Sequence, residues 1–140
     1  MIIRRATLDD APAIASLAGE LGYPTEPAEM RARIAALNPE DGALFVGVAG
    51  VAVIGWAHVA EVRLVESDSY AELRGIVVAA ALRSRGVGTR LLNAAEAWTR
   101  ERGLPRIRVR SNVTRERTHA FYERHGYTTT KSQKVFDKRL

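Results

Sequence analysis

The chain has 140 residues, with 21 Lys and Arg against 16 Asp and Glu, so its formal charge at pH 7 is +5. Its hydrophobic content of 46% and charged content of 26% are typical of a globular protein and exclude disordered and collagen-like chains. A chain of this length buries roughly 68% of its unfolded surface, enough for one core, so we predict a single domain over residues 1–140.

Two further exclusions concern chemistry and location. The chain contains no cysteine, which excludes disulfides, thiolate metal sites and a cysteine nucleophile. The N-terminus is charged and lacks the apolar stretch of a secretory signal, and residues 42–60 alternate like strands rather than forming a membrane span. We therefore expect a cytoplasmic protein with no membrane partner.

The chain begins with a predicted strand over residues 2–6. Thr7 and Asp10 then resemble a helix capping box, and apolar residues recur at helical spacing until a glycine follows. These signals predict a first helix over residues 8–21. A second helix is predicted over residues 25–38, where an Asn-Pro pair ends it.

The rest of the chain alternates strands and helices. Two β-branched runs, residues 43–48 and 51–63, flank an Ala-Gly turn and predict an antiparallel hairpin. The later predicted elements are a strand over residues 70–78, a helix over 87–102, a strand over 106–111, a helix over 114–124 and one or two strands over 127–140. We predict an α/β (α+β) fold with a mixed, largely antiparallel sheet of six or seven strands flanked by about four helices.

A glycine-spaced turn connects the strand over residues 70–78 to the helix that follows it. Its sequence is Arg83-Ser84-Arg85-Gly86-Val87-Gly88-Thr89. Glycines let a backbone approach an anion closely, and N–H groups at a helix N-terminus attract phosphate. The turn lacks the P-loop lysine and the third glycine of the dinucleotide fingerprint. It indicates either a pyrophosphate-binding loop or an ordinary strand-to-helix connection.

Two side chains are candidates for proton transfer. Tyr122 lies on the predicted helix over residues 114–124, and a phenol can protonate a basic leaving group such as a thiolate; the alternative is that Tyr122 belongs to the core. Glu72 interrupts an otherwise apolar strand, and it either faces solvent or accepts a proton from an amine. An amine nucleophile needs such a base because its ammonium form, with a pKa of about 10.4, predominates at pH 7.

Basic and histidine residues give weaker signals. Arg106, Arg108 and Arg110 share one face of a predicted strand, which indicates a solvated edge or, alternatively, a nucleic-acid surface. No aromatic residue is interleaved with them to stack bases, so nucleic acid is disfavoured. The three histidines show no ligand spacing with acidic residues, and we expect no metal.

Several segments in this order resemble the GNAT superfamily of acetyl-CoA-dependent N-acetyltransferases. IRRATLDD resembles the first strand and helix entry, and YAEL followed by IVV resembles the central strand. RSRGVG fits the acetyl-CoA signature, and FYERHGY resembles the second signature region. The resemblance covers nearly the whole chain and implies a GNAT-like sheet split at a cleft for acetyl-CoA, which serves as a co-substrate.

The resemblance also implies roles for individual residues. The catalytic residues would be Tyr122, which protonates the CoA thiolate, and Glu72, or a water chain, which acts as base. Transfer to the amine would be direct, in a ternary complex, with a backbone amide near Val78 binding the oxyanion. The cofactor-binding residues would be Val77, Val78, Arg83, Arg85, Gly86, Val87, Gly88, Thr89, Asn112 and Arg115. Arg115 stands where the family often has an asparagine.

The acceptor is expected to be a primary amine of a small molecule or peptide. Acidic residues flank Tyr23, Trp56 and Tyr70 in residues 22–29 and 61–68, so we predict a cationic amine unless these acids are merely solvated. Alternatives are a non-catalytic acetyl-CoA-binding module and a protein lysine or N-terminal acetyltransferase. Residues 134–140 are predicted to pair across a two-fold axis in a homodimer.

Overall fold

Segments rich in β-branched and small residues form one sheet whose strands lie in chain order. The computed structural model describes residues 1–140. The strands are β1 (Ile2–Arg5), β2 (Gly42–Ala49), β3 (Ala52–Val62), β4 (Tyr70–Val78) and β5 (Ile107–Val109). Neighbours from β1 to β4 pair antiparallel, and β5 pairs parallel to β4. The predicted mixed, largely antiparallel sheet is confirmed.

Four helices accompany the sheet, as predicted. They are α1 (Ala11–Glu20), α2 (Pro27–Ala36), α3 (Val87–Glu101) and α4 (Glu116–Arg124). A short 3-10 turn, Leu8–Asp10, precedes α1, and the N–H of Thr7 donates to the carboxylate of Asp10 at 2.8 Å. None of the helices has the length and apolar character that a bilayer span requires.

The chain forms two compact units, Met1–Val109 and Arg110–Leu140. The first unit contains the whole sheet with α1, α2 and α3, and the second contains α4. The prediction of a single domain stays a prediction.

The core of the first unit lies on both faces of its sheet. On one face, Val87 of α3 approaches Gly47 and Gly55 so closely that a Cβ on Gly55 would lie 3.3 Å from its Cγ1. Side chains alternate along a strand, so the opposite face is the one on which Arg4 lies. There Arg4 donates to both carboxylate oxygens of Asp10, at 2.8 and 2.9 Å, and so fixes the start of α1.

The C-terminal strands that we predicted are not present. Residues 127–140 contain neither helix nor strand. Val135 and Phe136 are 86% and 87% exposed, so this segment buries no apolar face that would offset the entropy of ordering a strand. The sheet therefore has five strands rather than six or seven, and residues 134–140 offer no strand for pairing across a two-fold axis.

Strand β5 is shorter than the predicted strand over residues 106–111. Only Ile107, Arg108 and Val109 pair with β4, opposite Ala71, Glu72 and Leu73.

Candidate active site

The predicted phosphate turn has the backbone of an anion-binding loop. Ser84 and Gly86 both have left-handed backbone, with φ of 66° and 84°, and Gly86 is the N-cap of α3. The first intrahelical bond joins the N–H of Arg90 to the carbonyl of Gly86 at 3.1 Å. The amides of the helix's first turn precede that bond and lie at the positive end of the helix dipole.

Side chains in this turn divide between solvent and core. Arg83, Ser84, Arg85 and Gly86 are exposed, and nothing lies within 4 Å of the position that a Cβ on Gly86 would occupy. Val87, by contrast, is only 4% exposed. The turn thus exposes its arginines and leading backbone amides, while the Val87 side chain anchors it to the sheet.

One edge of β4 lacks a neighbouring strand over its second half. Pairing with β5 ends at Leu73 opposite Val109, although β4 continues to Val78. The side chain of Val77 is buried, at 4% exposure. Val77 and Val78 thus present backbone groups at an open edge, to which a linear amide such as a pantetheine arm can add as a strand does. This edge runs directly toward the glycine turn, so the residues present fit acetyl-CoA.

Strand β4 contains a bulge at Arg74. On β3, His58 pairs with Gly75 and the next residue, Val59, pairs with Leu73, so Arg74 is the extra residue. Arg74 and Gly75 together therefore oppose His58. Gly75 is required here because a Cβ would lie 2.7 Å from Cζ3 of Trp56.

A cavity of about 530 Å³ opens in the first unit beside this bulge. The C-terminal end of α2 and the loop after it form one wall, and strands β2, β3 and β4 form the other. Its lining includes Ile34, Leu37, Leu44, His58, Ala60 and Arg74. The sequence did not reveal this cavity, although a histidine and an arginine within apolar strands are the signal that marks it.

Glu72 lies near the rim of the cavity. It is half-buried and lies in register between Ala60 of β3, which lines the cavity, and Arg108 of β5. Its side chain lies on the same face of the sheet as Ala60 and His58.

His58 is the one histidine of the cavity wall. Burial, and then the charge of Arg74, hold the pKa of His58 below its usual 6.5. The imidazole is therefore neutral at physiological pH, with one nitrogen able to accept a proton and the other to donate a hydrogen bond.

The second unit holds Tyr122 on α4. Its ring is 7% exposed and contacts Phe121 and Tyr127, with ring centroids 5.3 and 5.6 Å away. Burial raises the pKa of Tyr122 to about 12, so the phenol keeps its proton throughout the physiological range. This environment is compatible with both predictions for Tyr122: that it belongs to the core and that it donates a proton.

Asn112 and Arg115 belong to the turn that begins α4. The carbonyl of Asn112 accepts the N–H of Arg115 at 3.0 Å, and Nε2 of His119 lies 2.8 Å from the same carbonyl. Arg115 precedes Tyr122 by about two helical turns, which puts both on one side of the helix. Asn112 and Arg115 thus lie at the start of α4, about two helical turns before Tyr122.

The acids that we predicted around the acceptor are not gathered in one place. Glu61 lines the cavity but is paired with Arg63 and Arg102, while the acids of residues 22–29 and 66–68 line no part of it. Tyr70 is 1% exposed. It therefore cannot contact an acceptor as we expected.

Two arginines of the segment that was predicted as a strand over residues 106–111 cover the ring of Tyr70. The guanidinium carbons of Arg106 and Arg108 lie 4.4 and 4.8 Å from the centroid of its ring. These side chains therefore pack on an aromatic ring rather than forming a wholly solvated edge, and the buried ring is not available to stack a base. No group of three or more His, Asp or Glu residues is arranged to hold a metal ion.

Comparisons with known proteins agree with this geometry. The sequence matches the acetyltransferase (GNAT) family over residues 10–127. The chain belongs to the GNAT acetyltransferase family. No curated protein matches the chain.

Solved structures show the same fold. A GNAT family acetyltransferase from Staphylococcus aureus has 23% identity and a TM-score of 0.80, covering 99% of this chain and 98% of its own. An aminoglycoside 6′-N-acetyltransferase from Acinetobacter haemolyticus has 20% identity and a TM-score of 0.85, covering 100% and 99%. An aminoglycoside N-acetyltransferase in complex with CoA has 20% identity and a TM-score of 0.81, covering 99% and 100%.

Proposed function

We propose that this GNAT protein is an acetyl-CoA-dependent N-acetyltransferase that acts on a primary amine of a small molecule or peptide by direct attack in a ternary complex. The observation that carries the proposal is the open edge of β4 leading into the glycine turn, which offers a binding path for an amide-containing arm that ends in phosphates. The CoA complex and the aminoglycoside acetyltransferases among the structural neighbours support it.

Acetyl-CoA, when bound, would supply the activated acetyl group. Backbone amides of Gly86, Val87 and Gly88 would bind its pyrophosphate, with Arg83, Arg85 and Thr89 around them. The backbone of Val77 and Val78 would align the pantetheine arm, and Asn112 and Arg115 are further candidates for contact with it.

The chain's own residues would handle the protons. Glu72, directly or through water, would accept the proton of the ammonium group, and Tyr122 would hold a proton at Oη for the sulfur. A backbone amide near Val78 would donate a hydrogen bond to the carbonyl oxygen as negative charge develops there. The acceptor would be a primary amine that is protonated in solution, so the cation expected from the sequence would be the ammonium group itself.

The test is thiol release from acetyl-CoA with polyamines, aminoglycosides, amino acids, aminoalkylphosphonates and lysine peptides as acceptors, together with calorimetric titration of CoA. Turnover with one class supports the transferase and names its acceptor. Binding of CoA without turnover would favour a non-catalytic acetyl-CoA-binding module. Failure to bind CoA would contradict the proposal.

A further inference from the structure

We infer that the cavity beside the β4 bulge binds an anionic group, a carboxylate or phosphonate, carried by the amine acceptor. The inference rests on the proposed function and deepens it, because it names the chemical class of acceptor. It depends on the charges and hydrogen-bonding groups that line the cavity.

The acidic residues of the lining are already neutralised. Asp41 accepts hydrogen bonds from Arg63 at 2.9 Å and from Asn38 at 2.9 Å. Glu61, whose side chain is 10% exposed, is paired with Arg63 and, at 3.7 Å, with Arg102. These carboxylates offer little attraction to an incoming cation, because their charges are compensated by arginines outside the lining.

The basic residues of the lining differ from one another. The guanidinium of Arg5 lies over the ring of Phe45, 5.1 Å from its centroid. Arg74 has no acidic partner, and the bulge holds it opposite His58, whose ring also makes no hydrogen bond. The cavity therefore contains an unpaired guanidinium beside a neutral imidazole.

This pair matches the needs of an oxyanion. A guanidinium presents a fork of N–H donors that fits a carboxylate or phosphonate, and an imidazole adds one more donor. Burial is the main cause of the lowered pKa of His58, and the charge of Arg74 adds to it, which places the guanidinium close to the ring. The bulge lies where β4 loses its β5 partner, so an anion held there leaves the amine of the same molecule close to the open edge.

The volume is also suitable. A cavity of about 530 Å³ lies within the range of roughly 300–1,000 Å³ typical of small-molecule sites. Its lining also includes apolar side chains, among them Ile34, Leu37, Leu44 and Ala60. They would contact the carbon chain that joins the anion to the amine.

The experiment compares amines of matched size in which a carboxylate is replaced by its neutral amide: β-alanine with β-alaninamide, and glycine with glycinamide. Spermidine serves as a polycation. We expect kcat/KM for the carboxylate to exceed that for its amide by about 10-fold to 100-fold, the range of one charged hydrogen bond. Arg74→Gln should abolish this ratio and Arg74→Lys should restore part of it.

Arg100→Gln is the matched control, because Arg100 is exposed on α3 and does not line the cavity. This variant should keep the carboxylate-to-amide ratio of the wild type. Equal or greater activity with the amides or with spermidine, or an unchanged ratio in Arg74→Gln, would overturn the inference even if acetyl transfer is confirmed.

A binding measurement separates the two proposals. Calorimetric titration of β-alanine and β-alaninamide, with and without CoA, reads the cavity without turnover. Selective binding of the carboxylate that is lost in Arg74→Gln supports the inference even if no amine is acetylated. Equal binding of both probes, or binding of neither, contradicts it, whereas a protein that fails to bind CoA contradicts only the proposed function.

Discussion

Replacing Tyr122 by Phe removes the proposed proton donor and keeps the aromatic packing of α4. The ring contacts with Phe121 and Tyr127, at 5.3 and 5.6 Å between centroids, do not involve the hydroxyl. The hydroxyl makes no hydrogen bond, yet it is not among the fully buried unpaired atoms. We therefore expect the variant to fold normally, so that any loss of activity reports on chemistry.

The size of the effect follows from the pKa of Tyr122. With a value raised to about 12 by burial, its phenol is less acidic by about 3.5 pKa units than a thiol of pKa about 8.5, a gap of about 5 kcal/mol. Full transfer to a solvated thiolate is therefore unfavourable, and Tyr122 acts only on a thiolate that burial has also made more basic. We expect kcat to fall by about 100-fold, the lower end of general acid catalysis.

The pH dependence of the rate also reports on the protonation of Tyr122. An acid must be protonated to act, so its contribution is lost as pH rises through its pKa. Because burial raises the pKa of Tyr122 to about 12, the wild-type rate should show no decrease caused by Tyr122 up to about pH 10. A decrease with an apparent pKa near 10 that vanishes in the Phe variant would show that the hydroxyl is solvated.

The assay is thiol release with the best acceptor of the panel, paired with calorimetric titration of CoA. Tyr127→Phe is the control, since Tyr127 touches the Tyr122 ring and has no assigned role. Tyr122 is not the proton donor if the Tyr122→Phe variant keeps a rate within about threefold of the wild type, or if the variant loses only affinity for CoA.

Three other substitutions and measurements test the packing around the site. Asp10→Asn should lower the free energy of unfolding by about 1 kcal/mol, because it weakens the pair between the buried Asp10 carboxylate and the exposed Arg4 guanidinium, which solvent screens. The hydrogen bonds from Arg4 lower the pKa of Asp10, so the stabilisation is present at neutral pH and disappears as pH falls below 3.8. Urea titrations of both proteins at pH 7 and pH 3 measure this, and a constant difference between them would contradict it. Gly75→Ala should destabilise the fold by about 1–3 kcal/mol and shift the Trp56 fluorescence, because its Cβ would lie 2.7 Å from that ring; unchanged melting and emission would argue against the contact. NMR titration of the His58 imidazole should give a midpoint below 6.5. A midpoint above that value would contradict the burial of the ring beside Arg74.

Strand β4 shows what the sequence predicts well. Its bounds, Tyr70–Val78, were predicted as observed because a run of apolar and β-branched residues lies between a polar loop and a glycine turn. Helix α3 was likewise predicted to within one residue, since Gly86 and Gly103 delimit an amphipathic stretch. Local signals of this kind also located the glycine turn between β4 and α3.

The bulge shows what local signals miss. Pairing register depends on the partner strand, so nothing in the β4 sequence alone shows that Arg74 is an extra residue. The cavity depends on it in turn, because without the bulge Arg74 and Gly75 would lie on opposite faces. Of the acids in residues 22–29 and 61–68 from which the acceptor region was predicted, only Glu61 lines this cavity, and it is paired with arginines.

Strand β4 changes its role over two consecutive residues, Leu73 and Arg74. Pairing with β5 stops at Leu73, and the bulge at Arg74 then turns the strand while Val77 stays fixed in the core at 4% exposure. A strand that kept its regular register could present an open edge, but it could not also direct a guanidinium into the cavity on its face. The bulge thus gives β4 two surfaces at one point, an edge suited to the amide-containing cofactor and a face suited to the acceptor, and it places them on a strand whose buried side chains hold both in position.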